Sequence, residues 1–194
     1  MRLLVVGEPG SGKTSWCREY IDRRRESGSS VGGILCPAVE HQGQRIGCNA
    51  LDLLTGQEIP FARLSSHGCI RQGERVGDYT ISRDGISFAR GAIKRAIDNG
   101  CDLVVIDEVG LLELSGKGLV SAVELALASA VDVLIVVRSS LREDLQRHFS
   151  QYEFVVTADL TRSVSNLTEP TDGRSSEVAT YESRSEGRQA QETE

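Results

Sequence analysis

Long hydrophobic runs are absent from this sequence, and so is any excess of positive charge. No stretch approaches the ~18 apolar residues of a membrane helix, and the first apolar run, Leu3 to Val6, is too short for a signal peptide. We therefore expect no membrane partner. Among 194 residues, 22 Lys and Arg face 28 Asp and Glu, and the net charge is −6. Because this balance gives polyanions little attraction, nucleic acid is not an expected partner either.

Cysteine pairs and histidine clusters are lacking as well. The five cysteines are an odd number, none of them lies in a C-x-x-C pattern, and the three histidines have no metal-ligand spacing. This pattern disfavours both a disulfide framework and a structural zinc site. We expect reduced thiols in a cytoplasmic protein.

Residues 163–194 differ in composition from the rest of the chain. Their apolar residues are scattered without periodicity, and seven acidic residues face three basic ones. We expect a disordered acidic tail, because so little apolar surface cannot offset the entropy lost on ordering. Residues 1–162 are expected to form one folded domain.

The expected domain alternates strand and helix patterns. Four short apolar runs are typical of parallel strands covered on both faces: Leu3 to Val6, Leu103 to Ile106, Val133 to Val137 and Phe154 to Val156. Three helical patterns alternate with these runs: Thr14 to Glu26, Ile86 to Asn99 and Leu119 to Ala130. Gly28 and Gly100 are placed to end the first two helices. The pattern predicts an α/β fold with a doubly wound, mostly parallel sheet.

The stretch from Val31 to Ser82 interrupts this alternation. Gly43 and Gln44 lie between two strand-like runs, which predicts a β-hairpin insertion. The segment from Thr55 to Gly77 is rich in Gly, Ser and Arg, and we expect a long loop there. Loops of that length in a compact domain are usually functional or mobile.

One motif carries specific chemistry. The segment GEPGSGKT at positions 7–14 matches GxxxxGK[ST] between a predicted strand and a predicted helix, as in a P-loop. Glycines allow backbone N–H groups to surround phosphate oxygens, and Lys13 supplies a positive charge to the β and γ phosphates. We expect Lys13 to be catalytic and to lie on a solvent-facing loop. The predicted nucleotide-binding residues are Gly7, Glu8, Pro9, Gly10, Ser11, Gly12, Lys13, Thr14 and Ser15.

A second motif complements the first. The apolar run that begins at Leu103 ends in Asp107 and Glu108, as in a Walker B segment. Asp107 and the Thr14 hydroxyl are the expected Mg²⁺ ligands. Glu108 is the expected catalytic base, which would orient and deprotonate the attacking water.

Other polar residues are less specific. Four arginines could neutralise charge on a transferring phosphoryl group, although a solvated surface role is favoured for each: Arg63, Arg71, Arg75 and Arg138. A further set is expected to serve surface or packing roles: Glu113, His41, His67, His148 and Trp16.

The order of motifs resembles the small nucleoside-triphosphatase family first known from thermophiles, which includes the cancer-related nucleoside-triphosphatase of animals. The resemblance extends to about residue 158, and its specific part is VGGILCPAVEHQGQRIG with LDLLTGQEIPFAR, followed by RVGDYTIS and VIDEVGLLEL. It implies a P-loop domain that hydrolyses ATP, GTP and other nucleoside triphosphates slowly and with little base preference. The implied site residues are Gly7, Gly12, Lys13, Thr14, Asp107 and Glu108, and the family also has arginine at Arg45, Arg63 and Arg75.

The sequence departs from the family at three places. Cys36 to Glu40 replace a threonine and a Glu-Val-Arg run, Leu111 replaces a lysine, and the Asn-Arg pair after the last strand is absent.

Three functions remain open on the residues alone. The first is Mg²⁺-dependent hydrolysis of nucleoside triphosphates to diphosphate and phosphate. The second is a small nucleotide or metabolite kinase, with the stretch from Thr55 to Gly77 as acceptor site and lid. The third is a nucleotide-dependent regulatory switch that responds to a protein partner not specified by the sequence. The Asn-Lys-x-Asp motif of guanine-specific switches is absent.

Overall fold

One ten-stranded sheet organises the residues that the computed structural model describes, 1–67 and 70–161. The strands are β1 (Arg2–Gly7), β2 (Val31–Leu35), β3 (Ala38–His41), β4 (Gln44–Asp52), β5 (Glu58–Leu64), β6 (Gly73–Val76), β7 (Tyr79–Ser82), β8 (Leu103–Val109), β9 (Asp132–Arg138) and β10 (Val155–Asp159). Their order is β10-β1-β9-β8-β2-β4-β5-β7-β6, and β3 pairs with β4. The four predicted parallel strands are present, and β2 joins them.

The sheet has a parallel half and an antiparallel half. Strands β10, β1, β9, β8 and β2 are parallel neighbours, whereas β4, β5, β7 and β6 continue the sheet with antiparallel pairs. Because the carboxyl ends of parallel strands meet at one edge, the loops after β1, β8, β9 and β2 converge there. This edge is where a ligand site is expected in an open α/β sheet.

The helices are α1 (Lys13–Glu26), α2 (Arg83–Asp98), α3 (Leu111–Leu114), α4 (Val120–Ala128) and α5 (Arg142–His148). The predicted stops of α1 and α2 are confirmed: Gly28 and Gly100 have φ values of 87° and 64°. After each glycine, the next N–H group donates back to the third residue from the helix end, as in a Schellman motif.

Helices cover both faces of the sheet, as a doubly wound fold requires. Successive residues of the central strands alternate between the faces. One face packs against α1 through Cys17 and Ile21. The other packs against α2, α4 and α5 through Ile93, Leu127 and Leu145. The predicted α/β class with a mostly parallel core is confirmed.

The hairpin prediction is correct, but the long-loop prediction is wrong. The β3–β4 hairpin turns at Gln42 and Gly43, whose φ values are 51° and 74°. Between Thr55 and Gly77, the chain instead forms β5, a short 3₁₀ helix at Ser65–His67, and β6. In β5, exposed and less exposed residues alternate before the strand becomes buried. Pairing with β4 and β7 overrides a composition that by itself favours a loop.

The predicted tail, residues 163–194, lies outside the described residues. The boundary of a folded domain at residue 162 therefore stays a prediction. In the described part of the chain, no helix is long and apolar enough to span a bilayer.

Candidate active site

The glycine-rich loop links β1 to α1 at the carboxyl edge of the parallel strands. Gly10 and Gly12 adopt φ values of 80° and 86°, and Gly12 is the N-cap of α1. A side chain at either position would be strained, because L residues rarely adopt this left-handed region. The first N–H groups of a helix have no partner within it. The loop therefore presents backbone donors and the positive end of α1 to an anion.

The structure corrects the expected environment of Lys13. This residue begins α1, and only 7% of its surface is exposed. Its Nζ donates to the carbonyl oxygens of Gly7 and Glu8 at 2.9 and 2.8 Å. Burial lowers the pKa of the Lys13 ammonium, while the Glu108 and Asp107 carboxylates oppose that shift. The Lys13 side chain is thus buried against the phosphate loop and does not face solvent.

The two expected Mg²⁺ ligands lie side by side. The Thr14 hydroxyl donates to Asp107 Oδ2 at 2.8 Å, and the Cys36 backbone N–H donates to the same oxygen at 3.0 Å. Asp107 is 3% exposed. Burial, followed by the repulsion of Glu108, raises its pKa to about 6, against the two hydrogen bonds. Hard oxygen donors this close together suit Mg²⁺, which prefers oxygen ligands and keeps part of its water shell.

Glu108 is more accessible than its neighbour. Its side chain is 31% exposed and forms an ion pair with Arg138 at the end of β9. Asp107 and Glu108 both act on the pKa of Lys13, so the two carboxylates and the lysine share one electrostatic environment. A carboxylate that is reachable from solvent and close to the phosphate loop can accept a proton from water.

The candidate arginines fall into different places. Arg138 lies at the site, and the charge of Arg45 on β4 also lowers the pKa of Lys13. Arg63 is buried in β5, where it donates to the carbonyl oxygens of Cys48 and Ala62 at 2.5 and 2.8 Å. Those bonds satisfy backbone groups of the antiparallel half, so Arg63 is neither a solvated arginine nor a free phosphate ligand.

Arg75 lies on the last strand of the antiparallel half, away from the strand ends that form the site. It is on β6, five strands from β8, which corresponds to roughly 24 Å at ~4.8 Å per strand. Its Nε donates to the Gly77 carbonyl oxygen at 3.2 Å. Arg71 is exposed on the segment just before β6.

Several residues expected to serve packing or surface roles are now placed. Trp16 stacks on Tyr20, with ring centroids 5.1 Å apart, and packs against the core. Glu113 is buried, and its two carboxylate oxygens accept the Gly110 and Leu119 N–H groups at 2.9 and 3.0 Å. Burial raises the pKa of this carboxyl. Glu113 thus fastens the start of α3 to the segment before α4.

His41 and His67 meet edge to face, with ring centroids 6.4 Å apart, and His148 meets Phe149 in the same way at 4.7 Å. The described cysteines that are free thiols are Cys17, Cys36, Cys48 and Cys101, all of them buried. Cys69 lies outside the described residues.

Sequence reasoning missed two contacts at the site. The Ser139 hydroxyl donates to Glu8 Oε1 and so joins the β9–α5 segment to the phosphate loop. The Cys36 N–H group, directly after β2, is the second donor to Asp107. Both residues follow the carboxyl end of a parallel strand, and that position was the available signal.

The chain is similar to known nucleoside-triphosphatases over most of its length. A family model described as NTPase matches residues 2–169. The nucleoside-triphosphatase THEP1 of Methanosarcina barkeri is 35% identical over 166 residues, which cover 84% of this chain and 91% of that relative. The nucleoside-triphosphatase THEP1 of Methanopyrus kandleri is 35% identical over 140 residues, which cover 72% of this chain and 74% of the relative.

Two solved structures share the fold. The crystal structure of THEP1 from Aquifex aeolicus superimposes with a TM-score of 0.61 at 22% identity, covering 83% of this chain and 90% of that one. The solution structure of a human cancer-related nucleoside triphosphatase gives 0.59 at 22% identity, covering 81% and 88%.

Proposed function

This chain belongs to the NTPase family and is a nucleoside-triphosphatase, and from that premise we propose a specific reaction. It hydrolyses ATP, GTP and other nucleoside triphosphates to diphosphate and phosphate, with Mg²⁺ held by Thr14 and Asp107 and with Glu108 as the base. The observation that carries the proposal is the direct bond between Thr14 of the phosphate loop and Asp107 of β8. It joins the two motifs into one site.

The phosphate loop binds the triphosphate. The loop amides and the start of α1 supply donors, and Lys13 adds its charge at the β and γ phosphates. The two hydrogen bonds from Lys13 to backbone carbonyl oxygens hold its ammonium next to the loop before substrate binds. This pre-positioning supports a role in substrate binding and in stabilising the transition state.

Thr14 and Asp107 would hold the metal. When bound, Mg²⁺ neutralises charge on the β and γ phosphate oxygens. Asp107 must be ionised for this role, and the hydrogen bonds from Thr14 and Cys36 favour its charged form.

Glu108 acts on the nucleophile. The water oxygen forms a bond to the γ phosphorus as the bond from that phosphorus to the bridging oxygen breaks. The electron pair of the broken bond stays on the diphosphate, and the Glu108 carboxylate takes a proton from the water. Free phosphate and a nucleoside diphosphate are the products.

Broad base preference and hydrolysis, rather than phosphoryl transfer, are part of the proposal. The guanine-reading motif Asn-Lys-x-Asp is absent from the sequence. The stretch that the kinase hypothesis needs as a lid forms β5, β6 and a 3₁₀ turn in its described part. Strands fixed in a sheet are poor candidates for a closing lid.

The test measures phosphate release by the purified protein with ATP, GTP, CTP and UTP, each with and without Mg²⁺. We expect all four to be hydrolysed only with Mg²⁺. Lys13→Ala should abolish release or nucleotide binding, whereas Lys94→Ala, which removes an exposed lysine of α2 paired with Asp98, should change neither. Transfer of phosphate to an added nucleotide or metabolite in place of its release would favour the kinase.

A further inference from the structure

Arg138 lies between the phosphate loop and the candidate base Glu108. It is the last residue of β9, and its register partner on β1 is Gly7, the first residue of the phosphate loop. Strand β9 lies between β1 and β8 in the sheet. Neighbouring strands are ~4.8 Å apart, so the Arg138 backbone is one strand from the loop and one strand from Asp107 and Glu108.

The guanidinium of Arg138 donates two hydrogen bonds to a single oxygen of Glu108. Its Nε and Nη2 donate to Glu108 Oε1 at 3.2 and 3.0 Å. The two side chains are 46% and 31% exposed. An ion pair this accessible contributes little to folding, so it can exchange partners at low cost.

Three cationic side chains, Lys13, Arg138 and Arg45, lie within electrostatic range of one another at this edge of the sheet. The charges of Arg138 and Arg45 both act on the Lys13 ammonium and lower its pKa. The Glu108 and Asp107 carboxylates act on the same ammonium in the opposite direction, so part of this positive charge is already paired. A triphosphate can replace Glu108 as the partner of Arg138, because a guanidinium fork suits phosphate oxygens better than an ammonium does.

We propose that Arg138 is the catalytic arginine that this chain supplies to its own active site. Triphosphate binding draws its guanidinium from Glu108 to the γ-phosphate oxygens, and the same movement frees Glu108 Oε1 for the water proton. The inference rests on the proposed hydrolysis. The reaction is unchanged: the water oxygen bonds to the γ phosphorus, the bridging bond breaks with its electron pair on the diphosphate, and the proton goes to Glu108. Arg138 stabilises charge on the equatorial oxygens, so no arginine from a partner is needed.

The experiment compares Arg138→Ala and Arg138→Lys with Arg147→Ala, a control that removes an exposed arginine of α5 paired with Asp144. The readouts are kcat, KM, affinity for a non-hydrolysable triphosphate, and formation of the complex of diphosphate with aluminium fluoride, which mimics the transition state. We expect Arg138→Ala to lower kcat about 10²–10³-fold and to lose the aluminium fluoride complex, with a much smaller loss of affinity for the analogue.

Two further readouts separate a catalytic role from a structural one. Arg138→Lys should recover only part of kcat, because an ammonium lacks the planar fork. Millimolar guanidinium should partly restore kcat to Arg138→Ala but not to Arg147→Ala. A melting temperature equal to wild type is expected for all three variants.

The outcomes are distinct from those that test the proposed function. If Arg138→Ala keeps the wild-type kcat while Lys13→Ala is inactive, the hydrolysis stands and the inference about Arg138 is wrong. An equal loss of kcat in Arg147→Ala would also overturn it. Absence of phosphate release by the wild-type protein would overturn both.

Discussion

Replacement of Glu108 by glutamine isolates the proposed base from everything else at the site. Glutamine keeps the size of the side chain and an oxygen that can accept the two bonds from Arg138. Only the charge of an exposed pair is lost, which changes the free energy of unfolding by at most about 1 kcal/mol. The fold and the phosphate loop should therefore be unchanged in the variant.

The effect on rate should be much larger than the effect on stability. A positioned base contributes ~10²–10⁴-fold to the rate, which corresponds to about 3–5 kcal/mol at 1.36 kcal/mol per tenfold change. Nucleotide affinity should stay close to wild type, because the proposed phosphate contacts come from Lys13, Thr14, the loop amides and Arg138, none of which this substitution removes. Hydrolysis should therefore fall while binding persists.

The neighbouring carboxylate should behave differently. Asp107 is buried, and its Oδ2 accepts the Thr14 hydroxyl and the Cys36 N–H group. Asparagine keeps an acceptor for those bonds but buries an NH₂ group, which costs about 1–3 kcal/mol if it is left unsatisfied. Asp107→Asn should weaken Mg²⁺-dependent nucleotide binding itself and lower the melting temperature.

Single-turnover phosphate release and equilibrium nucleotide binding should be measured for both variants. Glu124→Gln, which changes an exposed glutamate on α4, is the matched control and should leave both quantities at wild-type values. Retention of most of the hydrolysis rate by Glu108→Gln would refute water activation by this residue and would strengthen the kinase or switch hypotheses.

Three further predictions concern stability and the placement of residues. Gly33→Ala should destabilise the protein by at least ~2 kcal/mol more than Gly43→Ala in urea unfolding. Both glycines have positive φ, but a Cβ on Gly33 would lie 2.1 Å from a backbone oxygen of β8, whereas a Cβ on Gly43 would meet open space. Equal losses of stability would contradict the close approach of β2 to β8. Arg63→Ala should cost about 1–3 kcal/mol, because it leaves buried carbonyl oxygens without a donor, yet kcat per folded molecule should be unchanged; a selective loss of kcat would return Arg63 to the catalytic candidates. Although burial opposes the shift, the hydrogen bonds from Arg95 and from a backbone N–H group lower the pKa of Asp52. Its stabilisation is therefore present above the unfolded pKa of about 4 and is lost as pH falls through the lower folded value. Asp52→Asn should lack this acid-dependent loss in melting temperature below about pH 4.

The sequence determined the features that depend on neighbouring residues. Glycine spacing and a flanking strand and helix indicated the phosphate loop. Apolar runs indicated four of the five parallel strands, β1, β8, β9 and β10. The helix stops at Gly28 and Gly100 were readable because a left-handed residue after a helical pattern has a local cause. The identity of the two carboxylates after Ile106 was likewise visible, since they directly follow a buried strand.

Only the tertiary structure decided which distant residues meet. Arg138 contacts Glu108 across 30 residues, and Thr14 contacts Asp107 across 93. The burial of Lys13 and the pairing of β5 in place of a loop also depend on neighbours far away in the sequence. Periodicity reports which face of a segment is apolar, but it does not report strand order. Strand order places the ends of β1, β9 and β8 side by side, and hydrogen bonds and charges between those ends form only once the sheet has assembled.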